Sequence, residues 1–230
     1  MWWQRDFAGE KKTKECRKLN NSQDAIPALD GAAMAEAFRR VGDEGATSLP
    51  LLPDGALGRL LEEARGLRYR QAMPVVGQGD VAVYQDFDLT TEISPEGALM
   101  ALARALDRMV GTALAGMNSP PLPLDFGFND YIVQRYPAGC TGMSPHRDHI
   151  RYTGLVAIVM LAGAGRFLVC DDRAGANERE IPMKPGDLLL MRAPGFQGRG
   201  DRPFHAVRDI TEDRYIFGLR HDTRPARGSG

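Results

Sequence analysis

From residue 127 onward the chain is a series of short apolar runs, each broken by Gly, Pro or Asp: FNDYIVQRY, LVAIVMLA, RFLVC, DLLLMRA, FHAVRDI and RYIFGL. Runs of this length, rich in Val, Ile, Phe and Tyr, suit strands packed on at least one face. No helical period lies between them. Parallel neighbours need crossover helices, so six or seven such strands imply antiparallel pairing in a sandwich or jelly roll. The stretch KPGDLLLM reads as a turn delivering a strand.

Before residue 119 the period is helical. PALDGAAMAEAFRRVG places Asp30 as N-cap and Gly42 as stop, with Met34, Phe38 and Val41 on one face. LPDGALGRLLEEARG repeats the device, with Asp54 as cap, Leu57, Leu60 and Leu61 inward, and Gly66 at the end. SPEGALMALARALDRMVGTALAG offers Ser94 as cap and Pro95 in the first turn; Leu99, Leu102, Leu106, Met109, Val110 and Ala113 follow at helical spacing. LRYRQAMPVVGQGDVAVYQDFDL reads as short strands around a Gly-rich turn. The expected fold class is α+β, mainly β: a double-stranded β-helix (jelly roll) core with N-terminal helices packed on it. Residues 1–25 read as a flexible arm and 223–230 as a flexible tail. Residues 26–222 read as a single domain, with a helical front (26–118) and a jelly-roll core (119–222).

Several classes of function are excluded early. No apolar run reaches membrane length, and the opening MWWQRDFAGEKKTKECRK has no apolar core for a secretory signal. Cys16, Cys140 and Cys170 are odd in number and far apart, giving neither a disulfide framework nor paired zinc spacing. A cytoplasmic location follows as the simplest expectation. The formal charge is −1, and four of the five lysines fall in the first 18 residues, so no basic stripe is available to follow a phosphate backbone.

GMSPHRDHIRYTG, residues 142–154, holds two of the four histidines. His146-Arg147-Asp148, with Asp125-Phe126-Gly127 upstream, imitates the paired motifs of protein kinases. The order is reversed, no lysine lies between Lys18 and Lys184 to hold the nucleotide phosphates, and no asparagine follows Asp148 at the metal-binding offset. The kinase reading fails.

On a strand, His146 and Asp148 point to the same side and are close enough to grip one ion. A second imidazole from another strand would complete the two-His-one-carboxylate set of non-haem ferrous oxygenases. His205, in RPFHAV, heads an expected strand, whereas His149 faces away. Taken alone, His-x-Asp equally describes a polar strand end. RYIFGLR adds a second feature: Arg214, Ile216, Gly218 and Arg220 share one face, with Tyr215, Phe217 and Leu219 on the other. Both faces read as covered, so the arginines point inward and need anionic partners. Their spacing of roughly 20 Å along a strand leaves room for a short dicarboxylate held by guanidinium forks. A pair of surface salt bridges is the alternative reading.

QRYPAGCTGMSPHRD, PFHAV and the Arg-x5-Arg of RYIFGLR together resemble the AlkB-like Fe(II)- and 2-oxoglutarate-dependent dioxygenases, over about residues 126–222. The resemblance implies a jelly roll with Fe(II) held by His146, Asp148 and His205 as the catalytic centre. It implies 2-oxoglutarate as cosubstrate on Arg214, at its distal carboxylate, and Arg220, with O2 as oxidant and succinate and CO2 released. Tyr136 matches the tyrosine of the family's Asn-Arg-Tyr motif, and Gln134 stands where that motif has asparagine.

Nucleic-acid repair members of the family usually carry an acidic residue two positions after the iron aspartate; here it is Ile150. With no basic stripe, the preferred substrate is a small molecule, amino acid or peptide-like compound, hydroxylated or oxidatively dealkylated. Demethylation of nucleic-acid bases is the alternative, and a non-catalytic metal- or ligand-binding jelly roll is the second. Arg147, His149 and Arg151 suit either an anionic substrate group or a solvated rim. Tyr69, Tyr84 and Phe87 suit either a stacking lid over a flipped base or the core.

Overall fold

The computed structural model describes residues 30–224. The arm expected at residues 1–25 lies outside the described residues, as does most of the expected tail. Thr223 and Arg224, by contrast, are tied down: the Thr223 N–H donates to the Arg151 carbonyl, and Arg224 pairs with Asp222.

Three helices come early: α1 (Gly31–Glu44), α2 (Asp54–Gly66) and α3 (Ala98–Ala115). Asp30 caps α1 through the Ala32 N–H, but the helix runs past Gly42 and stops at Gly45, whose φ of 86° ends it. Gly42 is instead a buried contact on the helix face, where a Cβ would collide with Gln197. Asp54 is the first helical residue of α2 rather than its cap, and Leu60 is the one expected leucine fully buried there, beside Ala56 and Ala64. Helix α3 begins three residues later than expected. Ser94–Gly97 forms a turn, and the work of a cap is done from α2, whose Glu63 carboxylate accepts the Leu99 N–H at 3.1 Å.

Eleven strands occur among the described residues: β1 (Ala46–Pro50), β2 (Arg70–Gln71), β3 (Val75–Val76), β4 (Val83–Asp86), β5 (Asp88–Thr90), β6 (Asp130–Tyr136), β7 (Gly142–His146), β8 (Tyr152–Cys170), β9 (Arg179–Ile181), β10 (Asp187–Arg192) and β11 (Phe204–Asp222). All pairings are antiparallel. The main order is β1-β10-β8-β11-β6-β5-β2, while β7 joins β11 to β4, β3 pairs β4, and β9 pairs β8.

Two pairs of expected strands are continuous. LVAIVMLA and RFLVC are both β8, and FHAVRDI and RYIFGL are both β11, each 19 residues long. Their Gly-rich and polar middles read as turns, yet the two strands stay paired across them through repeated register shifts between Arg208 and Ile216. One half of β11 pairs with β7 and the other with β6, so these bent strands close the jelly roll. Alternation along the strands then divides the interior. Leu155, Ala157, Val159, Leu188, Leu190, Tyr215, Phe217 and Leu219 face the helices with Phe38, Leu99 and Leu106. Val156, Leu189, Met191, Phe167, Val207, Ile216 and Tyr136 fill the space within the roll.

Gly163 makes the bend of β8 feasible. Its φ is 86°, and a Cβ there would lie 2.3 Å from the Asp213 carbonyl oxygen and 2.6 Å from the Arg214 Cα. Gly163→Ala is expected to cost at least about 2 kcal/mol of unfolding free energy, from positive-φ strain and a backbone clash. Gly58→Ala, in α2 with no atom near the added carbon, is expected to stabilise by about 0.5–1 kcal/mol. Urea unfolding of both variants checks the pair, and an unaffected midpoint for Gly163→Ala would contradict the close approach.

Candidate metal centre

His146 is the last residue of β7 and His205 the second of β11, and the two lie directly opposite each other in the antiparallel register. Their ring centroids are 4.1 Å apart at 52°. Asp148 does not share the strand with His146, as the sequence suggests; β7 ends at His146, and Asp148 sits two residues out in the following loop. It reaches the same place because the Arg202 Nε donates to its carbonyl at 2.9 Å and the chain turns back through the Tyr152 N–H to the His149 carbonyl. Asp148 Oδ1 lies 4.0 Å from Nε2 of each histidine, and one ligand atom from each of the three groups falls within 4.8 Å of the others. A distance of 4.0 Å is too long for a hydrogen bond, and ligand bonds of about 2.0–2.2 Å on either side would span it.

The protonation states suit a cation. The Nδ1–H of His146 donates to the Ser144 carbonyl at 2.9 Å, which leaves the Nε2 lone pair facing Asp148. The His205 Nδ1 has no hydrogen-bond partner; its ring is held by burial and by stacking on Phe167 at 5.5 Å and 17°. Desolvation depresses the pKa of His146, and desolvation with His146 as neighbour pushes His205 down to about 3. Burial works to raise Asp148, but His205, Arg220, His146 and Arg202 more than offset it. Two neutral imidazoles and one carboxylate therefore converge at neutral pH, a donor set that suits Fe(II) and similar divalent ions.

A cavity runs inward from these three groups between Ile132, Gln134, Tyr136, Ile158, Ile216 and Gly218. Arg214, Ile216, Gly218 and Arg220 of β11 stand opposite Tyr136, Gln134, Ile132 and Asp130 of β6. Arg214 is 1% exposed, its Nε has no hydrogen-bond partner, and no carboxylate among the described residues pairs with it. Its guanidinium lies 5.4 Å from the centroid of the Tyr136 ring. Burial alone lowers its pKa. This is an uncompensated cation inside the roll. Arg220 also lines the cavity; Asp130 pairs with it at 2.6 Å, and it lies 4.2 Å over the Tyr152 ring. The Tyr136 hydroxyl donates to Gln134 Oε1 at 3.1 Å, so these two side chains form one polar unit. Desolvation raises the Tyr136 phenol well above its usual range, keeping it a neutral donor.

The remaining candidates separate clearly. Arg147 is exposed, 4.1 Å over the Phe204 ring. His149 points outward and accepts the Arg151 N–H at 3.1 Å. Arg151 is engaged with Asp222 at 3.1 Å and with the Tyr152 hydroxyl. Tyr69 and Phe87 are core aromatics, packed edge-on against Tyr215 and tilted against Tyr136 respectively. Tyr84, at 64% exposure, faces solvent on the β3–β4 hairpin. Sequence reading missed Arg202, which anchors the Asp148 loop, Ser144, which sets the His146 tautomer through its carbonyl, and Asp130. None carries a local signal, because each acts on a residue distant in sequence or through its backbone.

No family model matches the chain, and no curated protein matches it. Solved structures do. A prolyl hydroxylase from Trichoplax adhaerens, in complex with a hypoxia-inducible-factor peptide fragment, superposes with a TM-score of 0.61 at 14% identity, covering 84% of this chain and 90% of that one. A 2OG-Fe(II) oxygenase-family oxidoreductase from Burkholderia pseudomallei gives 0.57 at 12% identity, covering 87% and 94%. OsALKBH1 gives 0.53 at 12%, covering 77% and 98%. The chain thus has the jelly-roll fold of 2-oxoglutarate, Fe(II) oxygenases. Among the described residues no helix is long and apolar enough to cross a membrane.

Two expectations follow from the geometry. Mn(II) or Co(II) should bind at one equivalent, and Asp148→Ala should lose more affinity than the roughly 10–100-fold expected for Arg202→Ala, which removes only an outer support. Isothermal titration of the three proteins checks the order. Replacing the unpartnered buried cation with an apolar side chain of similar length, Arg214→Met, should stabilise the metal-free protein by about 1–3 kcal/mol. A fall in the urea midpoint would show that the guanidinium is already satisfied.

Proposed function

We propose that this protein is a 2-oxoglutarate-dependent, Fe(II)-containing dioxygenase that hydroxylates or oxidatively dealkylates a small-molecule, amino-acid or peptide-like substrate, releasing succinate and CO2. The observation that carries this reading is the conjunction of two features: the His146–Asp148–His205 cluster lining the cavity, and the unpartnered Arg214 buried beside Tyr136, which lines the same cavity. A metal-binding module needs only the first. A buried cation kept without a partner costs stability, and a dicarboxylate that reaches it from the metal removes that cost.

His146, Asp148 and His205 would hold Fe(II), leaving further positions for cosubstrate and dioxygen. When bound, the iron and 2-oxoglutarate supply the oxidising chemistry, with both dioxygen atoms used, one in succinate and one on the substrate. The chain's own part is placement. Arg214 takes the distal carboxylate through its fork, and Tyr136 and Gln134 donate to the cosubstrate from β6. Arg220 acts through Asp130 and Asp148, fixing the cavity wall and keeping the aspartate ionised. The apolar lining excludes water from the reacting groups.

The AlkB-like motifs and the similarity to OsALKBH1 keep base demethylation as the second reading. Its weakness is electrostatic, since the net charge is −1; of the candidate stacking aromatics Phe87 is buried and Tyr69 half-buried against Tyr215, which leaves Tyr84 exposed.

Purified protein loaded anaerobically with Fe(II) and protected by ascorbate should release succinate from 2-oxoglutarate on exposure to air, slowly and without added substrate. Asp148→Ala should abolish the release. Arg214→Ala should raise the 2-oxoglutarate KM by about 30–100-fold, the worth of one charge-assisted fork. No succinate from the loaded wild-type protein, together with tight metal binding, would reassign the chain as a binding module.

A further inference from the structure

Around the metal cluster the arginines fall into two groups. Arg220, Arg151, Arg192 and Arg179 are each neutralised, by Asp130, Asp222, Asp201 and Glu44. Arg147, Arg173 and Arg202 form no ion pair with any described residue, and Arg202 is engaged with the Asp148 carbonyl. Arg147 and Arg173 lie over the ring of Phe204, at 4.1 and 5.6 Å. A cation over a ring gains about 0.5–1 kcal/mol at an exposed site and keeps its full charge. Phe204 directly precedes His205 and Arg147 lies between His146 and Asp148 in sequence, while Arg173 reaches the carbonyl of Pro145, the residue before His146.

Arg173 is the more telling of the two. It comes from the loop between β8 and β9, far from the motif in sequence, and is half-buried. Its Nη1 donates to the carbonyls of Ala82 at 3.3 Å and Pro145 at 3.5 Å, while its Nε and Nη2 donate to no described residue. One side chain therefore ties the β3–β4 hairpin to the residue before His146 and still has donors to offer. The hairpin it holds is unusual for a surface: Met73, Val75, Val76, Val81 and Tyr84 are all exposed, and Asp80 is the single charge between residues 72 and 84. An uncharged apolar ledge thus ends on an unpaired guanidinium beside the metal cluster.

We propose that Arg173 and Arg147 form the substrate's anion subsite, and that the substrate is a small acid with a compact apolar body and one carboxylate or phosphate. The apolar body lies on the β3–β4 hairpin and the anion meets the two guanidinium groups over Phe204. This rests on the dioxygenase reading for its place in catalysis. The cavity is lined by Tyr136, against which Arg214 packs, and by Gln134 and Arg220; the proposed function gives it to the cosubstrate, so the substrate lies outside it, on this rim. A nucleic-acid strand is disfavoured, because the cations are confined to one end of the ledge and no others follow along it.

The test uses the full-length, metal-free chain in saturating succinate, which occupies the Arg214 slot. N-acetylphenylalanine, its neutral amide, phenyl phosphate and a short oligothymidylate are titrated by calorimetry and ligand-observed NMR. The acid is expected to bind with the amide at least tenfold weaker. Arg173→Ala and Arg147→Ala should each weaken the acid by about tenfold or more, with Arg173→Lys retaining part of the affinity and Mn(II) binding of Arg173→Ala unchanged. Preference between the acid and phenyl phosphate decides which anion is meant. Equal binding of acid and amide, wild-type affinity in both alanine variants, no acid binding at millimolar concentration, or tighter oligothymidylate binding with a steep salt dependence would each overturn the proposal. Succinate release from 2-oxoglutarate separates the two readings. If it persists while acid binding fails, only the subsite falls; if it is absent while Arg173-dependent acid binding holds, the dioxygenase reading falls.

Discussion

The pairing of β7 with the first residues of β11 is the contact on which the site depends. It sets His146 opposite His205 in register, and nothing else brings those two imidazoles together across 59 positions of sequence. Antiparallel partners in direct opposition have Cβ atoms about 4.5–5.5 Å apart, which is why two rings can converge on one ion without strain in either strand. The third group needs less precision from the sheet, because the loop after β7 is steered by Arg202. A slip of one residue in this pairing would turn one histidine to the other face and separate the two, so the apolar alternation that fixes the register also fixes the candidate metal centre.

The same strand accounts for the cavity. β11 crosses from β7 to β6: His205 and Val207 line the cavity from its first half, and beyond the register shifts Ile216, Gly218 and Arg220 continue the wall, with Arg214 on the same face. Gly218 keeps that wall shallow, since a Cβ there would lie 3.0 Å from Ile132. Arg214 and the candidate metal ligand His205 are thus both carried by one strand. The bends that let β8 and β11 remain paired over 19 residues, at Gly163 and around Asp209 with its φ of 56°, are what bring them to bear on the same cavity.

How much of this can be read from the sequence depends on whether the signal is local. The alternating faces of RYIFGLR are legible because strand period is a local property, and the β core follows from the apolar runs for the same reason. The continuity of β8 and β11 is not legible: AGAG and DITEDR have turn composition, and only the partner strand shows that hydrogen bonding persists through them. Strand alternation groups His146 with Asp148, but the structure brings them together by another route, since β7 stops at His146 and a loop carries Asp148 back. The helix starts show the limit most plainly. Asp30 caps its own helix, but α3 takes its cap from Glu63 on a neighbouring helix, and a contact across 36 residues leaves no trace near Ser94.

The opposite fates of Arg214 and Arg220 show why spacing alone misleads about arginines. Both share a face six residues apart, and from sequence they form a symmetric pair of anion clamps. In the fold Asp130 stands opposite Arg220 on β6 and neutralises it, while the position opposite Arg214 is Tyr136, which offers a ring and no charge. The cross-strand neighbour, set by register, converts one arginine into a wall support and leaves the other an open electrostatic demand. A buried guanidinium without a partner weakens the fold, and a structure that keeps one must recover the cost when something binds. The same asymmetry recurs at the mouth, where Arg151 is neutralised by Asp222 and Arg147 and Arg173 are not. Charge left unpaired next to charge that is paired is the chemical record of what the chain is built to hold.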